Sequence, residues 1–189
     1  MNVGAASAAI SNTSATAIAA EAAPTVVLTL REIGFDDPGK LLASLGLQLA
    51  RVPDDQAIPG SFWGECEAGL IGNTVHARAD TPVHSLLHES AHLLVMPPER
   101  RAAVHTDATD SVPEEDAACY LQILLASALP GVGSDRLMAD MDAWGYSFRL
   151  GGAAQWFAED AQAEREWLQQ FDLIDAAQNV RFGVRSTDC

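Results

Sequence analysis

The chain of 189 residues holds a single lysine, Lys40, and 11 basic residues in all against 26 acidic ones, a formal charge of −15. A field of that sign repels phosphate, which argues against a nucleic-acid partner or an anionic membrane surface. Cysteine is scarce too. Cys66, Cys119 and Cys189 are odd in number, far apart and without a CxxC pair. That is the pattern of reduced thiols in a cytoplasmic protein and not of a disulfide frame. No apolar run approaches the ~20 residues of a membrane span. What is present, 48% hydrophobic and 20% charged residues, is the composition of a folded chain of one-domain size.

Residues 1–23 are nearly all Ala, Ser, Thr, Asn and Gly, with no Lys or Arg. They lack the basic and apolar regions of a secretory signal and cannot bury enough surface to offset their ordering entropy. A disordered extension is expected there, with a single folded domain over 24–189. Val26–Leu30 is β-branched enough for a strand, Pro38–Leu45 reads as a helix closed by Gly46, and Leu47–Val52 suggests a second strand. Ser61–Glu65, Glu67–Ile71 and Thr74–Arg78 are separated by turn residues and suggest a small antiparallel meander. Helical patterns follow over Pro82–Val95, Glu114–Leu129 and Ser134–Phe171. The fold class is therefore α+β, a strand-rich half followed by a helical half.

The first of those helices carries the chemistry. Thr81 suits an N-cap, Pro82 the first helical position, and Pro97-Pro98 a stop. Inside it stands His88-Glu89-Ser90-Ala91-His92, an HExxH sequence. Positions i and i+4 share one helix face, so both imidazoles can reach one ion. Zinc accepts such nitrogen ligands at about 2.0–2.1 Å. Glu89, about 100° further round, approaches the open metal position without ligating and serves as general base toward water.

A catalytic zinc commonly takes a carboxylate besides two histidines. The next helix opens with Glu114-Glu115-Asp116, 22 to 24 residues after His92. Glu114 stands above Ala117, Leu121, Leu124 and Ala128, the most apolar face. Glu115 stands above Ala118, Cys119 and Gln122. The reading favours Glu114 as third ligand, with Glu115 as the alternative and Asp116 after it.

HExxH followed by a helix starting Glu-x-x-Ala resembles the gluzincin class of zinc metallopeptidases, and more narrowly the small single-domain zincins of the ImmA/IrrE and minigluzincin type. The match spans roughly residues 60–129, with Ala118 standing where those relatives often carry Asp or Asn. The resemblance implies a zincin-like fold, a small antiparallel or mixed sheet packed on the HExxH helix. It also implies a zinc ion held by His88, His92 and Glu114 (or Glu115), Glu89 as base, and a peptide or protein substrate. A strand within Glu67–Arg78 would pair with an extended peptide. The alternative is a zincin-fold protein that binds metal or a partner without turnover.

Other residues weigh less. His84 extends the histidine stripe, and a groove-lining role competes with ordinary burial. His105 is a candidate to polarise a carbonyl or act as an alternative ligand. Tyr120 and Tyr146 are the only tyrosines, either able to donate to an oxyanion, with Tyr120 assigned to packing. Cys119 reads as a small buried hydrophobe, and the aromatics between Met138 and Phe171 as core.

Overall fold

The computed structural model describes residues 27–64 and 66–181. The expected extension over 1–23, Val26 and Cys189 lie outside them. The stretch read as a first strand does something else. Thr29 caps a one-turn helix, α1 (Leu30–Ile33), its hydroxyl accepting from the Arg31 amide at 3.3 Å while Glu32 accepts from the Thr29 amide at 2.8 Å. This reciprocal capping box outweighs the β propensity of the valines. Only one isolated bridge, Thr29 to Pro82, retains strand character.

Helix α2 (Asp36–Ser44) buries Leu41 and Leu42 and leads through Gly46 into β1 (Gln48–Arg51). Strands β2 (Gly69–Ile71) and β3 (Thr74–Ala77) form an antiparallel hairpin about Gly72-Asn73, Leu70 facing Val75. The sheet order is β1-β3-β2, and β1 runs parallel to β3, Leu49 beside Val75. The sheet is therefore mixed and not a pure meander. Ser61–Gly64 supplies a single bridge, Ser61 to Gly69, in place of a strand.

The remaining elements are α3 (Val83–Val95), α4 (Pro98–Arg101), α5 (Val112–Ala126), α6 (Gly133–Trp144), α7 (Ala153–Glu159) and α8 (Gln162–Gln170), making eight helices among the described residues. Pro82 occupies the cap position of α3. Thr81 instead accepts from the Arg78 amide at 3.0 Å through its hydroxyl, tightening the turn out of β3. Two main-chain bonds clamp this entrance from the other side: Leu30 N–H to the Thr81 carbonyl at 3.0 Å, and Val83 N–H to Leu28 at 2.9 Å. Leu28 in turn donates to Asp140 of α6 at 3.0 Å, a buried carboxylate that Arg136 neutralises.

Helix α3 runs through the core, packed on α5 and also touching β3 and α6. Leu86, Leu87, Ala91 and Leu93 are fully buried, as are Ala117, Ala118, Leu121 and Ile123 of α5. The alanines at this contact let the two helix backbones approach, so polar side chains near their ends can meet. The C-terminal aromatics mostly pack as expected, with Phe157 stacked on Tyr120 at 4.5 Å and Phe148 on Trp156 at 4.7 Å. Among the described residues no helix is long and apolar enough to cross a membrane.

Where residues 59–61 cross β2 the backbones touch. A Cβ at Gly69 would stand 2.2 Å from the Pro59 carbonyl oxygen and 2.4 Å from the Ser61 nitrogen. Both obstacles are main chain and cannot swing aside. Gly39, in α2, faces open space. Gly69→Ala is expected to lower the urea midpoint by the equivalent of about 2–4 kcal/mol, whereas Gly39→Ala raises it by about 0.5–1 kcal/mol.

Candidate metal centre and cleft

Helix α3 presents His84, His88 and His92 on successive turns, all within reach of one cavity of about 500 Å³. The His88 and His92 Nε2 atoms face each other at 3.0 Å. Across from them comes Glu115, from the first turn of α5, with one carboxylate oxygen 3.2 Å from His88 Nε2 and the other 3.2 Å from His92 Nε2. Three side chains able to hold a metal, from two helices, thus stand side by side.

Glu114, the favoured third ligand, does not join them. Arg100 clamps its carboxylate in a two-pronged ion pair at 2.7 and 3.2 Å, and the Thr109 hydroxyl donates to it at 2.6 Å. Neighbouring residues on a helix point about 100° apart, so fixing Glu114 on this loop turns Glu115 toward the histidines. Asp116 is absent from the cavity lining. The apolar stripe below Glu114 does not mark the side of α5 that meets α3, because α5 is buried nearly all round, with Ala117, Ala118, Tyr120, Leu121, Gln122 and Ile123 all fully covered. A usable signal was present: below Glu115 lie Ala118, Cys119 and Gln122, the small and polar side chains one expects opposite a polar partner. Gln122 bears on the His88 ring.

The spacing suits a metal. A tetrahedral ion with bonds of about 2.0–2.1 Å separates its ligand atoms by ~3.3 Å. The observed separations of 3.0 to 3.2 Å are near that edge, each imidazole facing a different oxygen of Glu115. Cys119 is a residue that sequence reasoning assigned to packing alone. It lies one turn beyond Glu115, its sulfur within 4.8 Å of ligand atoms on His88 and Glu115.

The cavity draws on five segments, Glu115 of α5 among them. Glu89 lies beside the histidines, and the loop Thr106–Thr109 forms part of the wall. Glu67, Ser85, Trp144 and Tyr146 line it as well, and the strongly exposed Phe62 and Trp63 complete it. Tyr146 therefore reaches the site, 6.1 Å from His88 between ring centres, while Tyr120 packs elsewhere and bonds to Gln178. His105 is exposed and outside the lining, its Nδ1 engaged with Thr106. The outer edge of β2 is not free for an extended peptide either. Gly60 accepts from the Leu70 amide at 3.0 Å, and Thr106 donates to the Leu70 carbonyl at 3.0 Å. The expected pairing of substrate with this strand is thus corrected, because the chain's own loops occupy the edge.

Electrostatics follow from burial and crowding. Burial lowers the pKa of His88. At His92 burial opposes the charged form, but the Glu115 hydrogen bond and the Glu89 charge outweigh it and raise the pKa. The two imidazoles hold the Glu115 carboxyl well below its ordinary range. Burial pushes Glu89 up to about 7 and Tyr146 well above an ordinary phenol, and it lowers His84 to about 3.

The Glu89 shift has a sign that can be measured. A carboxyl with a folded pKa of about 7 and an unfolded value of 4.5 keeps its proton longer in the folded chain. Its contribution favours folding at low pH and is lost as pH rises from 4.5 toward 7. In metal-free protein, Glu89→Gln should therefore gain on the wild type across that window, levelling above it, by on the order of 2–3 kcal/mol in urea unfolding. Comparison of the chain with protein-family profiles, with curated proteins and with solved structures gives no match in any of the three.

Proposed function

We propose that this chain is a zinc-dependent metallopeptidase with a zincin-like arrangement, in which the small mixed sheet and the HExxH helix are followed by a helix that supplies the third ligand. The observation that carries this reading is the convergence of His88, His92 and Glu115 at 3.0 to 3.2 Å. The ligands are His88 Nε2, His92 Nε2 and the Glu115 carboxylate, with Glu115 taking the place first given to Glu114. A bound zinc ion supplies Lewis acidity and brings the pKa of water there to about 7.

The chain's own residues do the rest. Glu89, one residue from His88 and lining the cavity, accepts a proton from the attacking water and returns it to the leaving amine. Tyr146, kept protonated by burial, donates its hydroxyl to the oxygen that becomes negative at the tetrahedral carbon. Glu114 holds Arg100 and Thr109, fixing the loop that forms one side of the cleft. A cavity of about 500 Å³ admits a short stretch of peptide. The unpaired Cys66 and Cys119 support a reducing, cytoplasmic setting.

One observation favours a second reading. If the Cys119 thiol near His88 and Glu115 ligates as well, the site has four protein ligands and no open position, which makes it a structural or regulatory metal site. The peptidase reading predicts about one zinc per chain, lost in His88→Ala and His92→Ala. Glu115→Gln should weaken affinity sharply, with Glu114→Gln and Cys119→Ser near wild type. A large loss in Cys119→Ser, with a sulfur-to-metal charge-transfer band after cobalt substitution, decides for the closed site. Glu89→Gln should keep its zinc and lose roughly 100-fold or more in hydrolysis of an unfolded protein substrate. Unchanged hydrolysis removes Glu89 from the chemistry.

A further inference from the structure

Next to the histidine cluster, the cavity contains polar groups that the proposed hydrolysis does not use. His84 is 1% exposed, lines the cavity, and has neither ring nitrogen hydrogen-bonded. An imidazole buried with both nitrogens unmade costs stability, which a ligand contact would recover. Its ring lies 5.0 Å from Trp144 and 5.6 Å from Tyr146 between centres. The Trp144 indole N–H donates to one carboxylate oxygen of Glu67 at 3.2 Å. Glu67 itself has no cationic partner among the described residues. The cavity lining includes four carboxylates, Glu67, Glu89, Asp107 and Glu115, and not one lysine or arginine.

We infer that Glu67, His84 and Trp144 form a subsite for a basic side chain, arginine or lysine, of the peptide substrate. This rests on the peptidase reading for the word substrate, while the recognition chemistry stands by itself. A guanidinium or ammonium donates to the free oxygen of Glu67 and to the unprotonated nitrogen of the His84 ring. The Trp144 ring beside them favours a cation over an apolar chain of equal length. An acidic side chain meets only carboxylates and is rejected. The net charge of −15 draws basic peptides toward the molecule from a distance, but it is diffuse and screened, whereas the subsite acts at contact.

The test is calorimetric binding of end-blocked Ala-Arg-Ala, its lysine and glutamate counterparts, and the neutral isostere with citrulline. The full-length chain is used, once with chelator and once with zinc. The arginine and lysine peptides should bind about tenfold or more tighter than the citrulline peptide, and the glutamate peptide weakest of all. Glu67→Gln keeps the hydrogen bond to Trp144 and should reduce that preference to about twofold. His84→Phe keeps the ring and should weaken the arginine peptide about three- to tenfold. Equal binding of arginine and citrulline peptides overturns the subsite, as does a preference that survives Glu67→Gln, which would belong to the overall field. Should Glu67→Gln fail to fold, the peptide series on the wild type and on His84→Phe still decides. A basic preference without zinc binding keeps the subsite and removes the peptidase reading. Zinc binding without the preference does the reverse.

Discussion

The packing of α3 on α5 governs everything near the cleft. Two largely apolar helices meet through alanines, and the close approach brings a carboxylate on one within 3.2 Å of two imidazoles on the other. Neither helix carries all three groups, so the cluster exists only in the folded chain. A divalent ion bound there would tie the two helices together, and its binding energy would add to the stability of the core around them. Without an ion, the negative Glu115 and the adjacent imidazoles partly balance one another. That is why the carboxyl is driven down while His92 is driven up.

The sheet serves the same arrangement from beneath. Its three short strands could not stand alone, and β2 is covered on its open side by Gly60 and Thr106. The covering segments continue directly into the cleft, Phe62-Trp63 from one and Asp107–Thr109 from the other. Sheet closure and cleft formation are therefore one structural event. The clash at Gly69 shows how little clearance that event leaves.

What could be read from the residues divides along physical lines. The HExxH helix was legible because spacing, a proline start and a double-proline stop all agreed, and a motif within one helix needs no tertiary information. The hairpin was legible from Gly72-Asn73 between apolar runs. The parallel partner β1 was visible as a strand, but its direction in the sheet was not, since parallel pairing depends on a long crossover. The Thr29 region went astray because a local capping box competed with β-branched composition. The choice between Glu114 and Glu115 turned on Arg100 and Thr109, whose approach to α5 is a tertiary fact. A helix buried on every side has no apolar stripe from which its rotation can be read. His84 was placed on the right stripe, yet its lack of any hydrogen-bond partner emerges only when the surroundings are known.

The grip of Arg100 and Thr109 on Glu114 acts as a rotational detent for α5. Slipping that helix by one residue would carry Glu114 or Asp116 into the place of Glu115 and swing the wrong carboxylate toward the histidines. Related chains should therefore tolerate changes of residue identity across 102–111 far more readily than changes of its length, because an insertion or deletion there resets the angular phase of the whole helix.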